Sequence, residues 1–329
     1  MSQEGYVRIQ KLYRKKFLQH EKQVEDRLER AVMKFAGKVK EEITDRTKDD
    51  GTLDKRLAKE LKDEIGRLCG WYSEEEKEIL RSGIKEAARL GMRGQDAAAK
   101  KHMGELIEKY KEDKEVVGLF RKALADPNPM LLSATYGEGL PDDIADTIWD
   151  NRWQDGKKLS DRIWKHENNM RQNLDGMIEK GINEEKSAAD LSRAVDDYLI
   201  KPGPTWRTDI LPAKTDRATV KYNALRLART ETNHAYQHAQ KMSAKNSELV
   251  KGVKWNLSMS HPIDWPPSAA YEGYPEICDY RAEEDHHGLG PGVYKADGYI
   301  PWDHPNGLCY LTDVLLKDKE LMRLLKDKY

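Results

Sequence analysis

Cys278, His304 and Cys309 are the residues of this 329-residue chain whose types most invite chemistry. Thiolate and imidazole are the ligands a structural Zn²⁺ prefers, four in a tetrahedron. His286 or His287 could complete the four. The competing reading makes both cysteines small buried hydrophobes, with His304 hydrogen-bonded to loop backbone. That second reading requires no cofactor and is the expectation, with Zn²⁺ as the alternative. A second set lies on a predicted helix, where Glu231, His234 and His238 are three and four residues apart and share a face. One carboxylate and two imidazoles there could also hold Zn²⁺, although an ordinary polar face is expected.

His261, His286 and His287 stand near Asp264, Asp279 and Asp285, types able to move protons. No serine or cysteine sits in a recognisable nucleophile elbow, and no His-Glu-x-x-His occurs. Gly288-Leu-Gly-Pro-Gly292 lacks the Lys-Ser/Thr of a phosphate-cradling loop, so a tight turn using glycine's freedom at positive φ is expected. The expectation is a protein that is not an enzyme.

The elements that must position these residues follow from periodicity. Phe17, Val24, Leu28, Val32, Phe35 and Val39 form one stripe on a helix over 6–48, ended by Asp49-Asp50-Gly51. Leu57, Leu61, Ile65 and Leu68 mark a second helix. Ser73-Glu-Glu-Glu reads as the cap of a third, running to about Arg93, with Gly91 and Gly94 at its end. A fourth covers roughly 95–125. Asp126-Pro-Asn-Pro129, continuing to Gly137-Glu-Gly-Leu-Pro141, is the clearest boundary. Beyond it come a helix with Ile148, Trp149 and Trp153, one with Leu159 through Ile178, and one with Leu191, Val195 and Tyr198. Pro202-Gly-Pro204 opens a loop to about Arg217. Val253, Trp255, Leu257 and Met259 alternate like a half-buried strand. The prolines at 262, 266, 267 and 275 exclude a continuous helix after it. Leu311–Tyr329 reads as a final amphipathic helix. The fold class expected is mainly α with a small α+β C-terminal module. Its three parts are a charged helical N-terminal region (1–126), a helical middle (127–250) and a loop-rich module with a small sheet (251–329).

Composition narrows the function classes. Charged residues make up 35% and hydrophobic ones 38%, yet the net charge is only −1. That balance, with regular apolar spacing, suits helices with much solvated surface rather than disorder. No apolar run approaches the ~18 residues of a membrane span. The N-terminus lacks a secretory pattern, and three cysteines suit a reducing cytoplasm. From Gly252 to Tyr310 nine acidic residues face three basic ones, a net of about −6, which disfavours contact with a nucleic-acid backbone. Basic clusters such as Arg14-Lys-Lys16 leave DNA binding as an alternative for the N-terminal region.

Leu225-Arg-Leu-Ala-Arg-Thr-Glu231, then Cys278-Asp279, Gly288-Leu-Gly-Pro-Gly292 and His304-Pro-Asn-Gly-Leu-Cys309, occur in that order. This series resembles the phage head morphogenesis family, also called the minor capsid or Mu F-like family, over roughly residues 140–312. Members carry an Arg-Thr-Glu helix, an aspartate–cysteine pair, a glycine-rich loop and a His-Pro-x-Cys-x-Cys ending. The resemblance marks Arg229, Thr230, Glu231, Asp279, Gly288, Gly290, Gly292 and Pro305 as motif residues, with Arg229 and Glu231 expected to hold the helix to the C-terminal module. The chain departs from the pattern at Gly307 and at Pro275-Glu-Ile277, where members often have cysteines. The resemblance implies a low-copy protein of the virion, at the portal or inside the head, and in the host cytoplasm during assembly. Its implied partners are the portal protein, the major capsid or scaffold protein, and phage DNA. Its implied role is head morphogenesis, DNA packaging or DNA delivery. Because some relatives carry toxin domains, an ADP-ribosyltransferase using Glu231 is the enzymatic alternative. The narrow stripes of the N-terminal helices and the last helix are expected to dock on a partner.

Overall fold

The computed structural model describes residues 3–125, 140–152, 156–201, 219–259, 261 and 269–329. The chain is mainly helical, with a small antiparallel sheet near its C-terminus. In order come α1 (Gln3–Asp45), α2 (Ala58–Lys109), α3 (Lys114–Ala125), α4 (Leu140–Asp150), α5 (Leu159–Asn183), α6 (Ala188–Leu199) and α7 (Val220–Lys245). Then follow β1 (Val250–Asn256), α8 (Ile277–Glu283), β2 (Val293–Lys295), β3 (Tyr310–Leu315) and α9 (Asp318–Lys328). The break at 126–129 with its continuation to 139, Trp153, the 202–217 loop and the prolines at 262, 266 and 267 lie outside the described residues.

Two compact units emerge: Met1–Glu21 with Ile84–Asp146 and Thr230–Tyr329, and Lys22–Gly83 with Thr147–Arg229. They cut across the expected segments 1–126, 127–250 and 251–329, because α1, α2, α4 and α7 each supply residues to both units. In the second unit the stripe of α1 is closed off, with Val24, Leu28, Val32, Phe35 and Val39 at most 1% exposed. Phe35 stacks on Tyr72 of α2 at 5.3 Å between ring centres. The α1 stripe and the α9 residues Leu321 and Leu325 are buried within the chain itself.

One long α2 replaces the second, third and fourth helices expected from the sequence. Local signals mislead here. Ser73 is buried inside the helix rather than capping an end. Gly91, within the first unit, allows close approach of α7: a Cβ there would stand 2.6 Å from the Tyr236 carbonyl oxygen and 2.9 Å from Ala239 Cβ. Packing, not chain termination, explains the glycine.

The first unit carries the sheet, ordered β2-β1-β3, with β1 paired antiparallel to both neighbours. Val253 faces Tyr294 on one side and Asp313 on the other. Trp255, Cys278, Cys309, Leu311, Leu321 and Phe120 share its core. The expected alternation therefore runs to Asn256, while Met259 is fully exposed. Residues 310–315 are strand, so the last helix starts at Asp318 rather than Leu311. Gly288, Gly290 and Gly292 have φ of 67°, 110° and 69°, as the tight turn requires. Gly292 also leaves no room for a Cβ against the Ala282 carbonyl.

Asp313 of β3 is buried at the hub of a polar network. Its carboxylate accepts from Tyr6 Oη (3.0 Å) and Gln95 Nε2 (3.1 Å), while its N–H donates to Gln10 Oε1 (3.0 Å). Burial pushes its pKa up to about 6 against these donors. A folded pKa above the unfolded one means a contribution complete below about pH 4 and lost as pH rises through about 6. Asp313→Asn should flatten that fall, on the order of 3 kcal/mol, measured as urea stability between pH 4 and 8. Gly91→Ala should lose about 1–3 kcal/mol by overpacking, despite alanine's better helix propensity. Gly104→Ala, on a site with nothing within 4 Å, should instead gain up to about 1 kcal/mol in the same urea titrations.

Candidate functional site

A loop whose backbone is buried must find partners for its amides and carbonyls. Residues 303–311 find them on α7. Helical spacing aligns Thr230, Asn233, His234, Gln237 and Gln240, and all five are buried. The Asn306 N–H donates to Thr230 Oγ1 (3.0 Å). Asn233 Nδ2 donates to the Gly307 carbonyl and to Asp303 Oδ2, both at 3.1 Å. His234 Nε2 lies 3.1 Å from the Asp303 carbonyl. Gln237 and Gln240 donate to the carbonyls of Cys309 (2.8 Å) and Leu311 (3.3 Å).

Arg14 of α1 completes this junction. Its guanidinium donates to Asn233 Oδ1 (2.8 Å) and the Leu308 carbonyl (2.7 Å), and lies 4.7 Å from the centre of the Phe17 ring. It is buried, so the basic cluster Arg14-Lys-Lys16 is partly structural. Arg229, expected to tie α7 to the C-terminal module, forms an ion pair with Glu25 of α1. Glu231 is 2% exposed and lies 3.4 Å from His234 Nδ1. Of the Arg-Thr-Glu run, Thr230 makes a direct hydrogen bond to the module.

Beneath this junction the fold gathers acids, thiols and imidazoles. Ligand atoms of Cys278, Asp303 and Cys309 lie within 4.8 Å of one another, as do those of Glu276, Cys278 and His304, and of His261, Glu276 and Asp279. The sequence-predicted trio Cys278, His304 and Cys309 thus belongs to one neighbourhood. Asp303, Glu276 and His261 join it. Cys278 Sγ is 3.7 Å from Asp303 Oδ1, and the Cys278 N–H donates to Glu276 Oε2 at 2.6 Å. His304 Nδ1 is 2.9 Å from the Pro305 carbonyl, and its Nε2 is 3.7 Å from Glu276 and 3.9 Å from Asp303. His261 pairs with Asp279 at 3.1 Å. The Cys309 thiol is pulled down to about 6, first by the hydrogen bond from Cys278, then, against burial, by His261 and the Ser258 backbone. The Cys278 thiol is pushed up because it gives that bond and is itself buried.

The other candidates disperse. His238 stacks on Trp302 (5.4 Å, 14°) and is lowered to about 4 by burial, then by Lys241. His234 meets the same Trp302 ring edge-on, but its nitrogens are turned to Glu231 and the Asp303 carbonyl. His286, a candidate fourth ligand, stacks on Tyr294 with a 2.9 Å contact to its hydroxyl. His287 meets the same ring edge-on. Asp285 accepts from the N–H groups of Leu289 (3.1 Å) and Gly290 (3.2 Å), shaping the glycine turn.

Sequence reasoning missed Asp303, one of nine acids between Gly252 and Tyr310. The signal was its place beside Gly307: a Cβ at 307 would collide with the Asp303 carboxylate. Comparisons with protein-family models, curated proteins and solved structures found no match.

Thr230→Val keeps the shape but removes the acceptor of a buried N–H. It should cost about 1–3 kcal/mol in urea unfolding, and Thr230→Ser should recover most of it.

Proposed function

We propose that this chain is a minor head protein of a tailed bacteriophage, acting at the portal or procapsid in head morphogenesis, DNA packaging or DNA delivery. The observation that carries the reading is the convergence of the motif series. Thr230 and the neighbouring face of α7 bind the segment that holds His304-Pro-Asn-Gly-Leu-Cys309. The aspartate–cysteine pair lies beside that segment, through Cys278 Sγ to Asp303. Motifs spread over some eighty residues therefore serve one junction, which gives their shared order a structural reason.

The placement of the polar groups favours an assembly role over the two alternatives. A transferase would need Glu231 open to a nucleotide, and it is buried against His234. Phosphate contacts by the Arg14 cluster would need a free guanidinium, and Arg14 is bound to Asn233 and Leu308. Among the described residues no helix is long and apolar enough to cross a membrane.

Quantitative mass spectrometry of procapsids and mature virions from the source phage tests the proposal. A low, fixed copy number in procapsids is expected. Its absence from both particles would contradict the assignment and direct attention to labelled-NAD transfer, compared with Glu231→Gln.

A further inference from the structure

We propose that the first unit holds a tetrahedral Zn²⁺ through Cys278 Sγ, Cys309 Sγ, His304 Nε2 and Asp303 Oδ1, as a structural clamp on the 303–309 loop. The inference stands on the side-chain cluster alone and does not depend on the phage assignment.

His304 carries the first argument. A carbonyl oxygen only accepts, so the 2.9 Å contact between His304 Nδ1 and the Pro305 carbonyl places a proton on Nδ1. In the neutral ring the Nε2 lone pair then faces Glu276 Oε1 at 3.7 Å and Asp303 Oδ1 at 3.9 Å. Those separations are too long for direct hydrogen bonds. Facing two buried carboxylates, Nε2 needs a positive charge there, either its own proton or a cation seated between the groups. An imidazole that donates its other nitrogen to a backbone carbonyl is also the usual outer arrangement of a metal-bound histidine.

Spacing supplies the second argument. Bonds of about 2.0–2.3 Å to a tetrahedral Zn²⁺ put ligand atoms roughly 3.3–3.8 Å apart. Cys278 Sγ to Asp303 Oδ1 is 3.7 Å, the Asp303–His304 edge is 3.9 Å, and Cys309 falls within the same 4.8 Å group as Cys278 and Asp303. The two Asp303 edges fit ligands around a common centre, and Cys278 belongs to both three-residue groups, one with His304 and one with Cys309, so a bound Zn²⁺ would draw His304 and Cys309 together.

The third argument is the support behind each ligand. Asp303 Oδ2 accepts from Asn233, and Oδ1, which accepts the His304 N–H at 2.9 Å, also faces Cys278 Sγ. His261 lies close enough to the Cys309 sulfur to act on it and is in turn held by Asp279. The Asp303 carboxylate fills the space a side chain at 307 would take, so this chain meets a cysteine-poor sequence with an oxygen ligand from the same loop.

The test is elemental analysis and X-ray absorption of the full chain purified without chelators. About one equivalent of zinc per chain is expected, with two sulfur and two nitrogen or oxygen neighbours. Asp303→Asn and Cys309→Ser should lose it, and His286→Ala should keep it. Should the variants fail to fold, cobalt loading of the unaltered chain decides: a tetrahedral spectrum with thiolate charge transfer is expected. A folded, thiol-reduced chain that takes up neither zinc nor cobalt, or a bound metal with no sulfur neighbour, overturns the proposal.

Discussion

The 303–311 segment sits under α7 only because side chains of that helix satisfy its backbone. Thr230, Asn233, Gln237 and Gln240 do for this loop what strand pairing does for β3. An unpaired buried amide or carbonyl costs about as much as one of these bonds contributes twice over, so the loop and the helix are specified together. The same face accounts for an apolar surface on α7 that is narrow and made of small residues such as Ala235 and Ala239. Small residues there, with Gly91 opposite, let α2 come close while the polar face remains available.

Charge in the C-terminal module follows from this arrangement. Asp303, Glu276 and Asp313 are buried, and the donors around them are mostly amides, backbone N–H groups and a phenol rather than lysine or arginine. Neutral donors fix geometry but leave negative charge. Burial pushes the Asp313 pKa up to about 6, and its neutral donors offset only part of that rise. Around Asp303 the remaining charge lies beside two thiols and an imidazole, a donor set with a strong preference for a divalent cation. The Zn²⁺ proposed for this cluster would act there as a clamp on the 303–309 loop.

Much of this was legible beforehand. The stripe on α1 was, because its period is long and uninterrupted, and every residue named for it is buried. Cys278, His304 and Cys309 were legible from their types alone. The continuity of α2 was not: Ser73-Glu and Gly91 carry the same local chemistry as a cap and a stop, and only packing, of Phe35 on Tyr72 and of Tyr236 on Gly91, decides against both readings. The partner of Arg229 was equally hidden, since Glu25 lies some two hundred residues away in sequence. Asp303 was one acid among many until the fold set it against Gly307 and Cys278.

Hydrogen exchange on the full chain, read by mass spectrometry for the parent and Asn233→Ala, addresses the α7–loop junction most directly. Asn233 joins Arg14, Asp303 and the Gly307 carbonyl. Its loss should speed exchange at the amides of 304–309 while leaving those of 22–83 as slow as before. Unchanged protection across 304–309 in a folded variant would contradict the claim that the polar face of α7 holds this loop.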